Sequence, residues 1–225
     1  MVKEMKALRV SRILSNSPGA GVVDDRPPLT KATIATAALA LIDSEGLEGF
    51  SMRKLGQMLD VKAMSLYHYF QSKEALLDGV VELIQAEIKD VSRGASSKAS
   101  PPMERVLEGI DAFRTVWRRH PKAFRFFAQQ PARTPERIKS AEMFVTSLLE
   151  SGLDRDAAIF AYRAILSFAS GFVLLENESG KPLFTVGDLD REFEVCMEIV
   201  LAGIDARLRR HSYKATRAKE TALRG

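Results

Sequence analysis

The sequence predicts an all-α chain in which a small N-terminal head of short helices is joined to a larger helical body. Three observations carry that expectation. Apolar residues recur with helical period through nearly every segment, as at Ile34, Ala37, Ala38, Leu41 and Ile42. No alternating β-branched run of strand character occurs. Two breaks, Pro27-Pro28 and the Ser- and Ala-rich RGASSKASPP at 93–102, interrupt the pattern where a helix cannot continue. They divide the chain into a flexible basic arm (1–26), a head (27–92), a body (102–210) and a basic tail (211–225) expected to be disordered for want of apolar periodicity.

The head resolves helix by helix. Thr30 is placed to cap the first helix, and Gly46 to end it, with Leu47 folding back as the accompanying hydrophobic contact. Ser51 caps a second helix and Phe50 is set to staple against Leu55, while Met52, Leu55 and Leu59 face inward. Asp60 and Val61 alone separate it from a short third helix carrying Leu66, Tyr69 and Phe70 on one face. Ser72 caps a fourth with the stripe Leu77, Val80, Val81, Ile84 and Ile88. Two short helices around a tight turn, flanked by longer ones, form a helix-turn-helix in its three-helix setting. Period alone leaves a plain helical bundle equally open.

Composition narrows the class. With 46% hydrophobic and 28% charged residues among 225, the chain is an ordinary globular one, long enough to bury a core. The single Cys196 excludes an internal disulfide framework, fits a reducing cytoplasm and reads as an inert buried thiol. Lys3, Glu4, Lys6, Arg9 and Arg12 interrupt any signal-peptide pattern at the start, and the uncharged stretch 164–175 is too short to span a bilayer. No Gly-rich phosphate loop, metal-ligand spacing or nucleophile elbow is present, so neither an enzyme, a cofactor nor a metal is expected. The net charge of +4 is locally concentrated: between residues 51 and 73, Arg53, Lys54, Lys62 and Lys73 stand against Asp60 alone, whereas acids outnumber bases over 27–90. So small a basic footprint suits a limited contact with nucleic acid, doubled by dimerisation.

The run SMRKLGQMLDVKAMSLYHYFQSKEALLDGVV, and within it LYHYF followed by SKEALLD, resembles the DNA-binding signature of the TetR family. The resemblance implies that 51–59 and 62–70 are the support and recognition helices, that Lys73 begins the helix linking head to body, and that the partner is double-stranded DNA. The residue chemistry fits. With Leu66, Tyr69 and Phe70 inward, Ala63, Met64, Tyr67 and His68 project outward, flanked by Lys62 and Ser65. Ala63 and Met64 suit a thymine methyl, Ser65 and His68 a base edge, and Tyr67 a phosphate. Lys62 stands at a helix start without an acceptor side chain, leaving free N–H groups for a phosphate, and Arg53 and Lys73 suit phosphate clamping. For Lys54 a solvated lysine is as good a reading.

The body offers two late helices. Ala157, Ala161, Ala164 and Gly171 form a small-residue stripe on the first; Phe193, Met197, Val200, Ile204 and Leu208 repeat at coiled-coil-like spacing on the second. In TetR-like proteins the corresponding helices make a four-helix dimer interface; burial within one subunit is the alternative. Phe113, Trp117, Phe127, Phe144, Tyr162, Phe168 and Phe172 are candidates to line a ligand pocket, with plain core the alternative for each. Arg114 shares the stripe of Leu107, Ile110 and Trp117, so its charge requires either an internal acid such as Glu176 or an anionic ligand group.

HPKAFRFFAQQPARTPERI and MFVTSLLESGLDRDAAIFAYRAILSFASGFVLLE resemble the C-terminal domain of tetracycline-type repressors. There, histidines help hold a drug–metal complex. Here the histidines are His68, His120 and His211, and Phe127 stands where the metal-binding one belongs. The resemblance therefore implies a homodimeric repressor released from a palindromic operator by a small apolar or aromatic molecule rather than tetracycline–magnesium. A ligand-independent DNA-binding protein with a solid body is the alternative.

Overall fold

The computed structural model describes residues 28–95, 100–128, 134–177 and 188–222, and among these residues it has nine helices and no strand. The N-terminal arm expected at 1–26 and the side chain of Leu208 lie outside the described residues. The head comprises α1 (Lys31–Gly49), α2 (Met52–Met58) and α3 (Ala63–Tyr67), and α4 (Lys73–Ala95) leads out of it. The body comprises α5 (Pro102–Arg119), α6 (Pro121–Phe127), α7 (Pro135–Glu150), α8 (Arg155–Asn177) and α9 (Leu189–Ala222).

Helix starts follow their side chains. Thr30 Oγ1 accepts from the Thr33 N–H at 3.1 Å while Thr33 Oγ1 accepts from the Thr30 N–H at 2.8 Å. This is a capping box with threonine in the third position, where a glutamate or glutamine is usual. Ser51, Ser72 and Thr134 cap α2, α4 and α7, and Asp154 and Asp188 cap α8 and α9 at 2.8 Å. Pro102, Pro121 and Pro135 occupy first helical turns, where the missing N–H costs nothing. Gly46 breaks the helical run of α1 at φ 76°, ψ 171°, a left-handed φ that any side chain strains.

The layers pack head onto body. Helix α1 lies against α4 and α6, α4 against α5, and α5 against α7 and α8; α9 covers α8. A continuous core runs from Ile34, Leu55 and Leu66 in the head through Leu76 and Ile84 of α4 to Trp117, Phe124, Ile165 and Val173 in the body. Head and body, expected as separate units, therefore share an apolar seam, and α4 belongs to both. Helix α9 continues through Ala222, which corrects the expectation of a disordered tail from 211. The segment HSYKATRAKETA has no apolar stripe, but it is rich in strong helix formers and extends a helix already nucleated.

Candidate nucleic-acid interface and regulatory body

Between α2 and α3 the chain turns within a few residues. The Val61 N–H donates to the Gly56 carbonyl at 2.9 Å, and Asp60 takes φ 53°, a conformation that Asp tolerates better than most. A Cβ on Gly56 would stand 2.8 Å from the Val61 oxygen and 3.2 Å from the Ala63 nitrogen. Absence of a side chain at 56 is what lets the two short helices approach so closely. The sequence reading missed this glycine, although a small residue inside so short a helix is the available signal.

Leu66 is fully buried beneath α3 and Phe70 is buried beside it, so the rest of α3 is oriented by these two anchors. Met64 is 70% exposed and Tyr67 40% exposed. Lys62 and His68 are also exposed, and Ala63 and Ser65 are half-buried. The expected outward set thus shares a surface, and Lys62 makes no side-chain cap to α3. Arg53 is exposed on α2. Lys54 is paired with Glu45. Lys73 is half-buried: its ammonium donates to the Phe50 carbonyl at 3.3 Å and lies 5.3 Å from the centre of the Phe50 ring. It pins the start of α4 to the start of α2, with donors left over for a phosphate.

The expected pocket residues separate into three groups. Phe113, Trp117 and Phe127 pack together with Phe124, with ring centres 4.4–6.5 Å apart. Phe144 pairs with Tyr162 at 5.4 Å. Phe168 and Phe172 pack with Phe193. Only Trp117 and Phe127 line the apolar cavity found where α1, α4, α5 and α6 meet, beside Ile42, Leu77, Val81 and Phe126. That cavity is about 10 Å³, room for about one water molecule. Trp117 is wholly buried, and its indole N–H finds no partner among the described residues. A residue the sequence reading did not single out, Arg137, lays its guanidinium 3.8 Å over Phe127. Burial lowers its pKa and raises that of the nearby Tyr162.

Arg114 has the internal partner. Its Nε and Nη2 donate to the two Glu176 oxygens at 3.1 and 2.6 Å, and Nη2 also reaches the Leu189 carbonyl at 3.1 Å and Asp190 at 2.8 Å. Burial lowers the Arg114 pKa, but the hydrogen bonds and charges of Glu176 and then Asp190 raise it by more. Arg114, followed by Arg118, holds the Asp190 carboxyl below its ordinary value. The network ties α5 to α8 and α9 and gives the buried Arg114 an internal acid.

The late helices are turned differently from the expected stripe. Ala161, Phe193 and Met197 are buried within the subunit, the alternative left open for these helices. Ala157, Val200 and Ile204 are half-buried, whereas Ala164 and Gly171 are exposed. The outward apolar face instead carries Phe160 and Leu175 on α8 and Val195 and Ile199 on α9, each at least 45% exposed. Ala157, Ala161 and Ala164 share one face of α8, and the boundary between its buried and exposed sides runs along that face. Cys196 is a half-buried free thiol.

These features recur in known proteins. The family model for bacterial regulatory proteins of the tetR family matches residues 34–80. The tetracycline repressor protein class E of Escherichia coli is 30% identical over 148 residues, spanning 66% of this chain and 69% of that protein. Among solved structures, a TetR variant of Acinetobacter baumannii AYE in complex with minocycline is similar with TM-score 0.67 at 28% identity, over 80% of this chain and 98% of that one. ActR of Streptomyces coelicolor in complex with (S)-DNPA gives TM-score 0.66 at 26% identity, over 81% and 100%. With the helix-turn-helix, the long connecting α4 and the helical body all shared, the chain belongs to the TetR family of DNA-binding transcriptional regulators.

Proposed function

We propose that this regulator is a cytoplasmic homodimeric repressor that reads a palindromic operator through α3 and is released by a small apolar or aromatic molecule. The observation that carries it is the outward surface of Lys62, Ala63, Met64, Ser65, Tyr67 and His68, held by the buried Leu66 and Phe70. Base edges are met by short and apolar side chains, and Arg53 and Lys73 anchor the backbone on either side. A recognition helix of five residues covers too little DNA for tight specificity, so two copies on paired half-sites are required. Phe160, Ala164, Gly171 and Leu175 with Val195 and Ile199 supply an apolar face for the second copy. It also accounts for helix α8, which is apolar and long enough to cross a bilayer by length and composition. One side of α8 is buried in the subunit; the other is the proposed dimer face.

The effector reading rests on the apolar cavity under α4 that Trp117 helps to line, and on the small molecules bound by the Acinetobacter and Streptomyces relatives. Phe127, standing where the metal-binding histidine is implied, lies tilted against Trp117 with ring centres 4.4 Å apart, which favours an aromatic guest over a drug–metal complex. The close-packed aromatic cluster and the small cavity also favour a second reading, a ligand-independent DNA-binding protein with a solid body. Selecting bound fragments from random DNA, then screening compounds against the complex, tests both. A repressor yields palindromic fragments and a compound that raises the Tm and releases DNA; a solid body gives fragments and no such compound.

A further inference from the structure

His120 occupies the junction of α5 and α6, as the last cap of one helix and the first of the next. It is 6% exposed, and both ring nitrogens face carboxylates on other elements. Nδ1 lies 2.6 Å from Asp43 of α1, and Nε2 lies 3.2 Å from Glu87 of α4. Arg119 reaches the other Glu87 oxygen at 2.8 Å, and the Lys122 ammonium of α6 donates to the Ser44 carbonyl. Asp43, Glu87, Arg119 and Lys122 are thus the charged groups around the ring.

A neutral imidazole has one N–H and one lone pair, so one of its two nitrogens would point a lone pair at a carboxylate. Only the imidazolium donates to both. Burial lowers the His120 pKa, but hydrogen bonds and charges from Asp43 and then Glu87 raise it by more, for a net rise. The second Asp43 oxygen is buried without a partner among the described residues, which leaves that carboxylate to His120. Trp117 one turn before His120, and Ala123, Phe126 and Phe127 after it, line the apolar cavity. The junction that carries His120 therefore forms one wall of the cavity.

We propose that His120, as the imidazolium bridging Asp43 and Glu87, is a protonation-dependent positioning residue that locks the DNA-reading head onto the body. The proposal rests on the reading of the head as the operator-binding surface. The sign follows from the raised pKa: the lock is complete below the ordinary histidine value of ~6.5 and is lost as pH rises through the elevated one. An unlocked head must be ordered when DNA binds, so operator affinity falls on the alkaline side.

The test uses the full chain. In a proton NMR titration, His120 is assigned by its loss in His120→Gln, and its midpoint is expected above ~6.5. Glu87→Gln, which keeps the Asp43 contact and the packing, is expected to lower that midpoint. A midpoint at or below the ordinary value, or one that Glu87→Gln leaves unmoved, overturns the proposal. Operator affinity is then measured across the same range. Because His68 sits on the recognition face, wild type is compared with His120→Gln, which retains it. Wild type is expected to lose roughly 5-fold or more in affinity through the His120 midpoint, and His120→Gln to be weak and flat there. Equal slopes overturn the lock. Should wild type bind no DNA at any pH, the operator reading falls instead. The lock is then judged by the titration and by amide exchange at residues 39–44, which must accelerate above the midpoint.

Discussion

At the scale of single residues, the backbone makes demands that contacts alone do not reveal. A Cβ on Gly46 would meet nothing closer than the Lys122 Cδ at 3.9 Å, so the cost of Gly46→Ala is conformational. It is expected to lower stability by about 1 kcal/mol in urea unfolding, with the m-value unchanged. Gly56→Ala is a different case, since its Cβ meets main-chain atoms of the turn at 2.8 Å. There the turn itself must shift, and operator affinity is expected to fall more than stability does; equal effects on both would remove the link between this turn and the placement of α3. Glu176→Ala leaves the buried Arg114 with Asp190 and a carbonyl alone. A loss of about 3 kcal/mol is expected by thermal or chemical unfolding, and much less if the pair were only a surface one.

At the scale of elements, α3 shows how few anchors position a reading surface. Its buried side chain is Leu66, so exposed substitutions on α3 are expected to leave the fold intact. Tyr67→Ala should weaken binding to the selected operator by about 10-fold with the Tm within a degree or two of wild type; unchanged affinity would remove Tyr67 from the interface. The paired helices α8 and α9 show the converse. Their inner faces complete the subunit through Ile165, Phe172, Phe193 and Met197, and their outer faces carry Phe160, Leu175, Val195 and Ile199. Ile199→Glu is expected to yield folded monomers by sedimentation while Met197→Glu unfolds the subunit. A dimer that survives the first substitution would place the interface elsewhere.

At the scale of the molecule, head and body are one packed object, and α4 is the shared member. His120 and the cavity share the α5–α6 junction, with Asp43 next to the cavity-lining Ile42 on α1 and Glu87 three residues from Ile84 on α4. This geometry lets an event in the body reach α1 and α4 without a separate relay. It also ties stability to pH: the Tm advantage of wild type over His120→Gln is expected to be full below pH ~6.5 and to shrink as pH rises through the raised His120 pKa. An advantage constant with pH would mean that packing, not charge, accounts for it.

What the sequence by itself determined was everything written in local chemistry. The caps at Thr30, Ser51 and Ser72, the break at Gly46 and the inward set of Leu55, Leu66 and Phe70 follow from short-range spacing, and the residues of the reading surface are the remainder. The Arg114–Glu176 pair was also foreseeable, because a charge on an apolar stripe requires a partner. Only the tertiary structure decided which side of α8 faces out, because Ala157, Ala161 and Ala164 lie along the boundary between its two sides and the difference lies in what packs against them. It alone separated the aromatic residues into three clusters and left two of those expected in the pocket beside a cavity. And it alone brought His120 to Asp43 and Glu87, residues far apart in the chain whose meeting depends on how α1, α4 and the α5–α6 junction are stacked.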